Sequence, residues 1–313
     1  MRVIITGGSG LIGRATTAQL VAQGHQVVWL SRRPERFGTL PAGVSAEPWD
    51  GRTSHGWGPL VEADTALLNL AGENVAAGRW TAARKRRIRD SRLDASRAVS
   101  EAIAKAKHRP QALVQVSAVG YYGNTGDTEV TESSPPGSDF LASVCRDWEA
   151  ATEAVEKAGV RRAVARVGVV LSRQGGAFPR LRLPVKLGLG GPLGNGRQWL
   201  PWIHLADVAA ALAFLLATPS ATGVYNLTAP QPCSQGDFVR RLGRQLHRPT
   251  LLPAPAPMLR LALGEMAEML LGGQRALPTR LQAAGFTFRY PDPDSALQAL
   301  ARGAADAASG AAG

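Results

Sequence analysis

Cysteine is nearly absent from this 313-residue sequence. Cys145 and Cys233 stand far apart, with no His or Cys at ligand spacing. That excludes a disulfide framework and predicts no metal site. Long apolar runs are missing too, since none approaches the roughly 18 residues that span a membrane. Met1 leads straight into an apolar strand, without the charged region and cleavage site of a signal peptide. These absences predict a cytoplasmic protein with no membrane partner.

Lysine is also scarce. The net charge of +12 is almost all arginine, 31 Arg against 5 Lys, in a chain rich in Ala and Gly. Such an excess reads as a composition bias. The densest cluster, Arg84–Arg89, falls in a helical pattern with Asp90 and Asp94 available at helical spacing. No nucleic-acid motif accompanies it, so no nucleic-acid partner is expected.

What the chain does have is apolar residues, 45% of the total, enough for one large domain or two modest ones. Its first thirty-three residues are the most telling. Arg2–Thr6 is an apolar strand. Gly7-Gly8-Ser9-Gly10-Leu11-Ile12-Gly13 is a glycine-rich turn. A helical stretch then runs to Gly24, and a second apolar strand ends in Ser31-Arg32-Arg33. A strand, a Gly-x-x-Gly-x-x-Gly turn and a helix make the phosphate-binding half of a dinucleotide fold. The helix N-terminus offers unpaired N–H groups to the phosphates, so Gly7, Ser9, Gly10, Leu11, Ile12 and Gly13 are expected cofactor contacts. An NAD site carries a carboxylate at the second strand's tip to bond the ribose 2′-hydroxyl. Here Ser31, Arg32 and Arg33 would instead hold a 2′-phosphate, which predicts NADP(H).

Strands continue at Thr65–Leu70, Ala112–Ser117 and Ala163–Leu171, alternating with helical patterns at Thr81–Lys107 and Ser138–Ala158. This predicts an α/β protein with a Rossmann-type, doubly wound parallel sheet. Residues 1–171 are expected to form the dinucleotide-binding domain, with about 203–228 able to return to it. Residues 172–302 should form a smaller, substrate-side α/β region, including a C-terminal unit from about 248. That region reads as helix Leu205–Leu216, strand Val224–Leu227, helices Ser234–Leu246 and Met258–Leu271, strand Phe286–Tyr290 and helix Asp292–Ala301. The Ala/Gly/Ser-rich tail, 303–313, is expected to be disordered.

The turn Thr6–Gly13 resembles the extended short-chain dehydrogenase/reductases. Further matches are Asn69-Leu70-Ala71-Gly72-Glu73, Arg79-Trp80-Thr81, Ser91-Arg92, Ser117–Gly123, Trp148-Glu149, Arg166–Leu171 and Trp202-Ile203-His204. Together they resemble an atypical, epimerase-like branch of that superfamily, whose members end in a small C-terminal domain of unknown function. The resemblance covers roughly residues 1–302. It implies NADP(H) and a strand-end site in which Asn69, Leu70, Ala71, Gly72, Glu73, Arg92, Ser117 and Val169 lie at the cofactor.

The superfamily's chemistry uses a tyrosine to move the hydroxyl proton, a lysine four residues later to lower its pKa, and a serine to orient the substrate. None of Tyr121, Tyr122, Tyr225 and Tyr290 has lysine four residues on, and Phe140–Cys145, where the motif would fall, has neither residue. Two readings remain open. In one, Ser117 with Tyr121 or Tyr122 performs oxidation–reduction or epimerisation at a sugar-like or other small carbinol or carbonyl, with a nucleotide sugar among the candidates. In the other, the chain is a non-catalytic NADP(H)-binding sensor or scaffold. The Gly188–Gly196 loop is a candidate lid. Gln198, Trp202 and His204 are expected on the substrate side, with Gln198 and Trp202 facing the cofactor. The protein is expected to act on a small molecule as a monomer or homodimer.

Overall fold

Seven strands lie side by side, all parallel. They are β1 (Arg2–Thr6), β2 (Gln26–Ser31), β3 (Val44–Pro48), β4 (Thr65–Asn69), β5 (Ala112–Ala118), β7 (Arg161–Val167) and β12 (Gly223–Leu227). Between them in the chain falls the short β6 (Glu129–Val130). After β7 come β8 (Val169–Ser172), β9 (Gly175–Gly176), β10 (Trp199–Leu200) and β11 (Trp202–His204), and after β12 come β13 (Cys233–Ser234) and β14 (Arg275–Ala276). This computed structural model describes residues 1–302, so the tail expected to be disordered lies outside the described residues.

The sheet order is β12-β7-β5-β4-β1-β2-β3. The order reverses between β1 and β4, which is where a doubly wound sheet opens a ligand crevice at its carboxyl edge. Side chains alternate between two cores. Val3 and Ile5 of β1 join one core, together with residues of helices α1 (Leu11–Ala22) and α6 (Leu205–Ala217). Ile4 joins the other, together with residues of α2 (Ala82–Lys105). Both sheet faces are therefore covered, which is why these strands read as unbroken apolar runs.

Several segments differ from the sequence reading. β3 was not expected, because Val44–Pro48 is short and only partly buried at the sheet's edge. The single strand expected at Ala163–Leu171 is broken at Gly168, where a Cβ would stand 2.1 Å from Pro201 O. Beyond that crossing, β8 leaves the main sheet and pairs with β11 and β9. The helix expected over Ser138–Ala158 is two, α3 (Phe140–Ala150), capped by Asp139, and α4 (Ala154–Lys157). Another helix, α5 (Phe178–Lys186), lies in the Gly/Pro-rich stretch. It is followed by α7 (Gln235–Leu246) and α8 (Ala256–Leu263). The helix expected to continue to Leu271 stops at Gly264, whose φ of +61° ends α8, and resumes as α9 (Glu268–Leu271). Phe286–Tyr290 is not a strand: the N–H groups of Arg289 and Tyr290 donate to the buried Asp207 carboxylate instead of to a neighbouring strand. The chain continues through α10 (Thr279–Ala283) to α11 (Pro293–Arg302).

A further core joins α5, α7 and α11 around Phe178, Trp202, Phe238 and Leu297. The C-terminal part is tied to the main sheet at the end of β12. Asn226 Nδ2 donates to Leu277 O at 3.0 Å, and Thr228 Oγ1 donates to Ala276 O at 3.0 Å. The Arg84–Arg89 cluster meets carboxylates from other elements rather than its own helix: Arg84 pairs with Glu73, Lys85 with Glu265 and Arg89 with Asp147, while Asp94 pairs with Arg52. Its charges thus fasten the loop after β4 and the C-terminal part around the carboxyl edge.

Candidate active site

The turn after β1 is shaped by its glycines. Gly7 has φ +71°, and Gly10 N–H donates to Gly7 O at 3.0 Å to close the turn. A Cβ on Gly13 would lie 2.5 Å from both Gly7 O and Gly8 O, so only glycine lets α1 pack this close to the loop. Gly10 caps α1 with extended backbone and no side-chain hydrogen bond. The first N–H groups of α1 are thus left for a ligand, as a dinucleotide pyrophosphate requires. Ser9 contributes its carbonyl to Arg14 Nε at 2.8 Å, while Leu11 and Ile12 are half-buried at the helix start.

At the β2 tip, Ser31 Oγ accepts from Arg33 N–H at 3.2 Å. Arg32 and Arg33 are exposed, and neither forms an ion pair among the described residues. At the β4 tip, Asn69 is fully buried. Its Oδ1 accepts from Thr6 Oγ1 at 2.5 Å, and its Nδ2 donates to Ser96 and Gln115. Thr6 Oγ1 in turn accepts from the N–H groups of Leu70 and Ala71. Asn69 therefore acts through Thr6 to hold Leu70 and Ala71 beside the glycine turn, where Gly7 approaches them closely.

Glu73 N–H donates to Ser91 Oγ at 3.0 Å, and its carboxylate pairs with Arg84. Arg92 lies beneath this loop. Its guanidinium stacks 4.8 Å from the Trp148 ring, lies against Gly72 and donates to Glu73 O and Ile88 O. Among the described residues Arg92 forms no ion pair. Burial pulls its pKa down, partly offset by the nearby Cys145 and Glu73.

The β5 tip carries a polar network. Ser117 Oγ donates to Glu149 Oε1 at 2.7 Å. Glu149 accepts at two points from Arg166 of β7, with Nε–Oε1 at 2.9 Å and Nη2–Oε2 at 2.8 Å. Arg166 Nη1 also donates to the Tyr122 hydroxyl at 3.0 Å, and that hydroxyl donates to Asn226 Oδ1 at 2.7 Å. Tyr122 is 3% exposed, and burial raises its pKa despite the adjacent arginine. Tyr121 is different. It is half-buried, its ring face lies 3.3 Å from the Arg166 guanidinium carbon, and no described residue hydrogen-bonds its hydroxyl. Burial works against the Arg166 charge, but Glu149 and Tyr122 outweigh it and hold the guanidinium firmly protonated. On α3, the two side chains four residues apart that face Ser117 are Cys145 and Glu149. A carboxylate thus stands on the helix, and the cation comes from the neighbouring strand.

The remaining candidates are mostly supports. Val169 opens β8 and donates its N–H to Pro201 O at 2.7 Å. Trp202, expected to face the cofactor, is 1% exposed; it packs in the third core and donates its indole N–H to Gln231 O. It therefore backs the cleft wall from inside, because its large ring serves as core. Gln198 Nε2 donates to Leu193 O and Leu270 O, joining the glycine run to α9. His204 caps α6 through Nδ1, which accepts from Ala206 N–H, and its ring lies 4.1 Å from Tyr290. The Gly188–Gly196 run is fastened along its length. Gly190 and Pro192 carbonyls accept from Leu252 and Ala254, Gly194 N–H donates to Ala254 O, and Gly196 O accepts from Gly236 N–H.

The sequence reading assigned no role to Glu149, Arg166 or Asn226. The available signal was a charged residue inside a strand, Arg166 among Ala163–Val170, and a carboxylate on the apolar face of α3.

A family model described as the NAD dependent epimerase/dehydratase family matches residues 3–228. The chain belongs to this family. A second model, a domain of unknown function (DUF1731), matches residues 254–300. An epimerase family protein of Mycobacterium bovis is 43% identical over 297 residues, covering 94% of this chain and 96% of that protein. The crystal structure of human epimerase family protein SDR39U1 with NADPH has a TM-score of 0.88 at 36% identity, covering 97% of this chain and 100% of the other. A nucleoside-diphosphate sugar epimerase from Corynebacterium glutamicum has a TM-score of 0.77 at 33% identity, covering 96% of this chain and 58% of that one.

Proposed function

We propose that this chain is an NADP(H)-dependent oxidoreductase acting on the carbonyl or carbinol carbon of a small molecule, with Tyr121 as the proton donor and acceptor. The cofactor assignment is supported by the uncapped start of α1, by Arg32 and Arg33, which form no ion pair among the described residues, and by the NADPH bound to the human relative. One observation carries the chemistry. Among the described residues nothing hydrogen-bonds the Tyr121 hydroxyl at the sheet's carboxyl edge, while its ring lies on a permanently charged guanidinium.

NADPH supplies a hydride to the carbonyl carbon and leaves as NADP⁺. Tyr121 gives its proton to the carbonyl oxygen and regains one from water, so the product is the alcohol. The Arg166 guanidinium, lying on the Tyr121 ring, is the cation at the place where the superfamily uses a lysine. Ser117 holds Glu149, and Glu149 holds Arg166, so both position the cation. Arg92 offers its remaining N–H groups to an anionic part of the substrate.

The test is NADPH oxidation across a panel of aldehydes and ketones. Tyr121→Phe should lower kcat at least ~100-fold with NADPH affinity unchanged. Tyr122→Phe should chiefly lower stability. A Tyr121→Phe variant as active as the parent overturns the assignment. A second reading, NADP(H) binding without turnover, is favoured by the Ser117 and Tyr122 hydroxyls both being engaged inside the protein. An absence of oxidation across the whole panel would favour it.

A further inference from the structure

Among the described residues, every large apolar side chain that is more than half exposed lies between positions 183 and 261. A soluble chain rarely leaves such side chains together without a ligand for them. Leu183 and Leu187 belong to α5 and its C-terminal end, and Met258 and Leu261 belong to α8.

The two helices are anchored at the same two places. α5 begins just after β9, whose Gly175–Gly176 turn lies against Leu11 at the start of α1. Arg180 of α5 donates to Ala76 O at 3.2 Å. The other end of α5 runs into the ribbon in which Gly190–Gly194 pairs with Leu252–Ala254. α8 leaves that same ribbon at Ala256. Past its far end, Gly264 lies against the Arg79 guanidinium, and Glu265 pairs with Lys85. Both helices therefore bridge from the ribbon to the 76–85 segment, and α5 starts beside the dinucleotide turn.

The helix faces decide which ligand fits between them. On α5, Phe178, Leu181 and Val185 turn inward to the third core. Arg180, Leu183 and Leu187 recur at helical spacing on the opposite face, the one Arg180 directs at Ala76. α8 has no buried residue and exposes Met258 at 66% and Leu261 at 80%. Neither helix carries a carboxylate; of their cations, Arg180 is bonded to the Ala76 carbonyl, Arg260 is paired with Glu268, and Arg182 and Lys186 lie off the Arg180–Leu187 face. Such walls suit an apolar chain better than the phosphates and hydroxyls of a nucleotide sugar.

The geometry points to a substrate with an extended apolar group, an aliphatic chain that lies between α5 and α8 while its carbonyl end reaches Tyr121. This rests on the oxidoreductase reading for the carbonyl end only. The nine residues of α5 span about 13 Å, close to the length of a ten-carbon chain.

Binding can be read without turnover. With saturating NADPH, an alcohol forms a dead-end complex, so 1-decanol, 1-butanol and UDP-glucose are compared by calorimetry. Decanol has six more CH2 groups than butanol, so half-burial of its chain between the helices should make it bind on the order of 100-fold more tightly. The double variant Leu183→Ser/Leu187→Ser and the single variant Met258→Ser should each weaken decanol roughly 10-fold, with NADPH affinity unchanged. Equal affinities for the two alcohols, or displacement of decanol by UDP-glucose at lower concentration, would overturn the inference. So would a parent dimer that Leu183→Ser/Leu187→Ser converts to monomer in sedimentation, because the leucines would then face a second copy of the chain. Decanol binding without decanal turnover upholds the apolar site and removes the oxidoreductase reading. Turnover of short aldehydes with no gain from chain length does the reverse.

Discussion

The Glu149 carboxylate and the Arg166 guanidinium meet at two points, 2.9 and 2.8 Å, inside the protein at the carboxyl edge of the sheet. A buried pair of this kind gains little net stability from its charge, because desolvation offsets most of the attraction. Breaking one side leaves an uncompensated charge. Glu149→Ala is therefore expected to cost about 3–5 kcal/mol in urea unfolding. Glu149→Leu combined with Arg166→Met should recover most of that loss, yet remain inactive because Tyr121 loses its cation. A double variant no more stable than Glu149→Ala would show that the pair does more than neutralise itself.

Arg32→Ala tests the cofactor at the β2 tip. Removing one charge-assisted contact to the 2′-phosphate should cost roughly 1.5–3 kcal/mol of NADPH affinity. NADH lacks that phosphate, so its affinity should stay the same. Fluorescence titration with both cofactors decides it, and an equal loss for the two would point to a general effect on the β2 tip.

Two glycines in the turn should respond differently to the same methyl group. Gly13→Ala places Cβ 2.5 Å from two backbone carbonyls, which no rotamer relieves, so NADPH binding should be lost. Gly8→Ala meets the Trp29 ring at 2.2 Å, and that ring is held by its hydrogen bond to Thr17. Overpacking here should lower stability by about 1–3 kcal/mol, visible as a reduced melting temperature.

Alkaline pH should destabilise the fold through its two thiols. Burial, aided by the Glu149 charge, pushes the Cys145 pKa up to about 11, and burial pushes Cys233 up to about 12. Each folded-state value lies above the unfolded value, so the folded state holds its proton longer. That contribution is fully present below the unfolded pKa, near 9, and is lost as pH rises toward 11 or 12. The slope is about 1.4 kcal/mol per pH unit for each thiol. Urea unfolding between pH 8 and 10.5 should show the decline, and Cys145→Ala with Cys233→Ala should flatten it. Neither native thiol should react readily with an alkylating reagent at pH 8.

The cofactor half was legible because its signals are local. Gly7, Gly10 and Gly13 carry their reasons in their spacing, and Ser31-Arg32-Arg33 announces its charge in three consecutive positions. The polar network at the β5 tip is non-local. Ser117, Glu149, Arg166 and Asn226 come from β5, α3, β7 and β12, and only the parallel register places Ser117 beside Arg166. The chain breaks were hidden for a related reason. Gly168 looks like one small residue in an apolar strand until Pro201 is seen to cross it at close range.

The sequence by itself determined the alternation of strand and helix, the phosphate turn and the family, since each depends on residues near one another along the chain. Only the tertiary structure decided which tyrosine keeps its hydroxyl. Tyr121 and Tyr122 are adjacent in sequence, yet the turn after β5 directs one hydroxyl to Asn226 and leaves the other with no hydrogen bond among the described residues, its ring on Arg166. It also decided which segments the helices bearing the exposed leucines are fastened to. α5 and α8 are some seventy residues apart, and their shared anchors exist only once the ribbon and the 76–85 segment have come together.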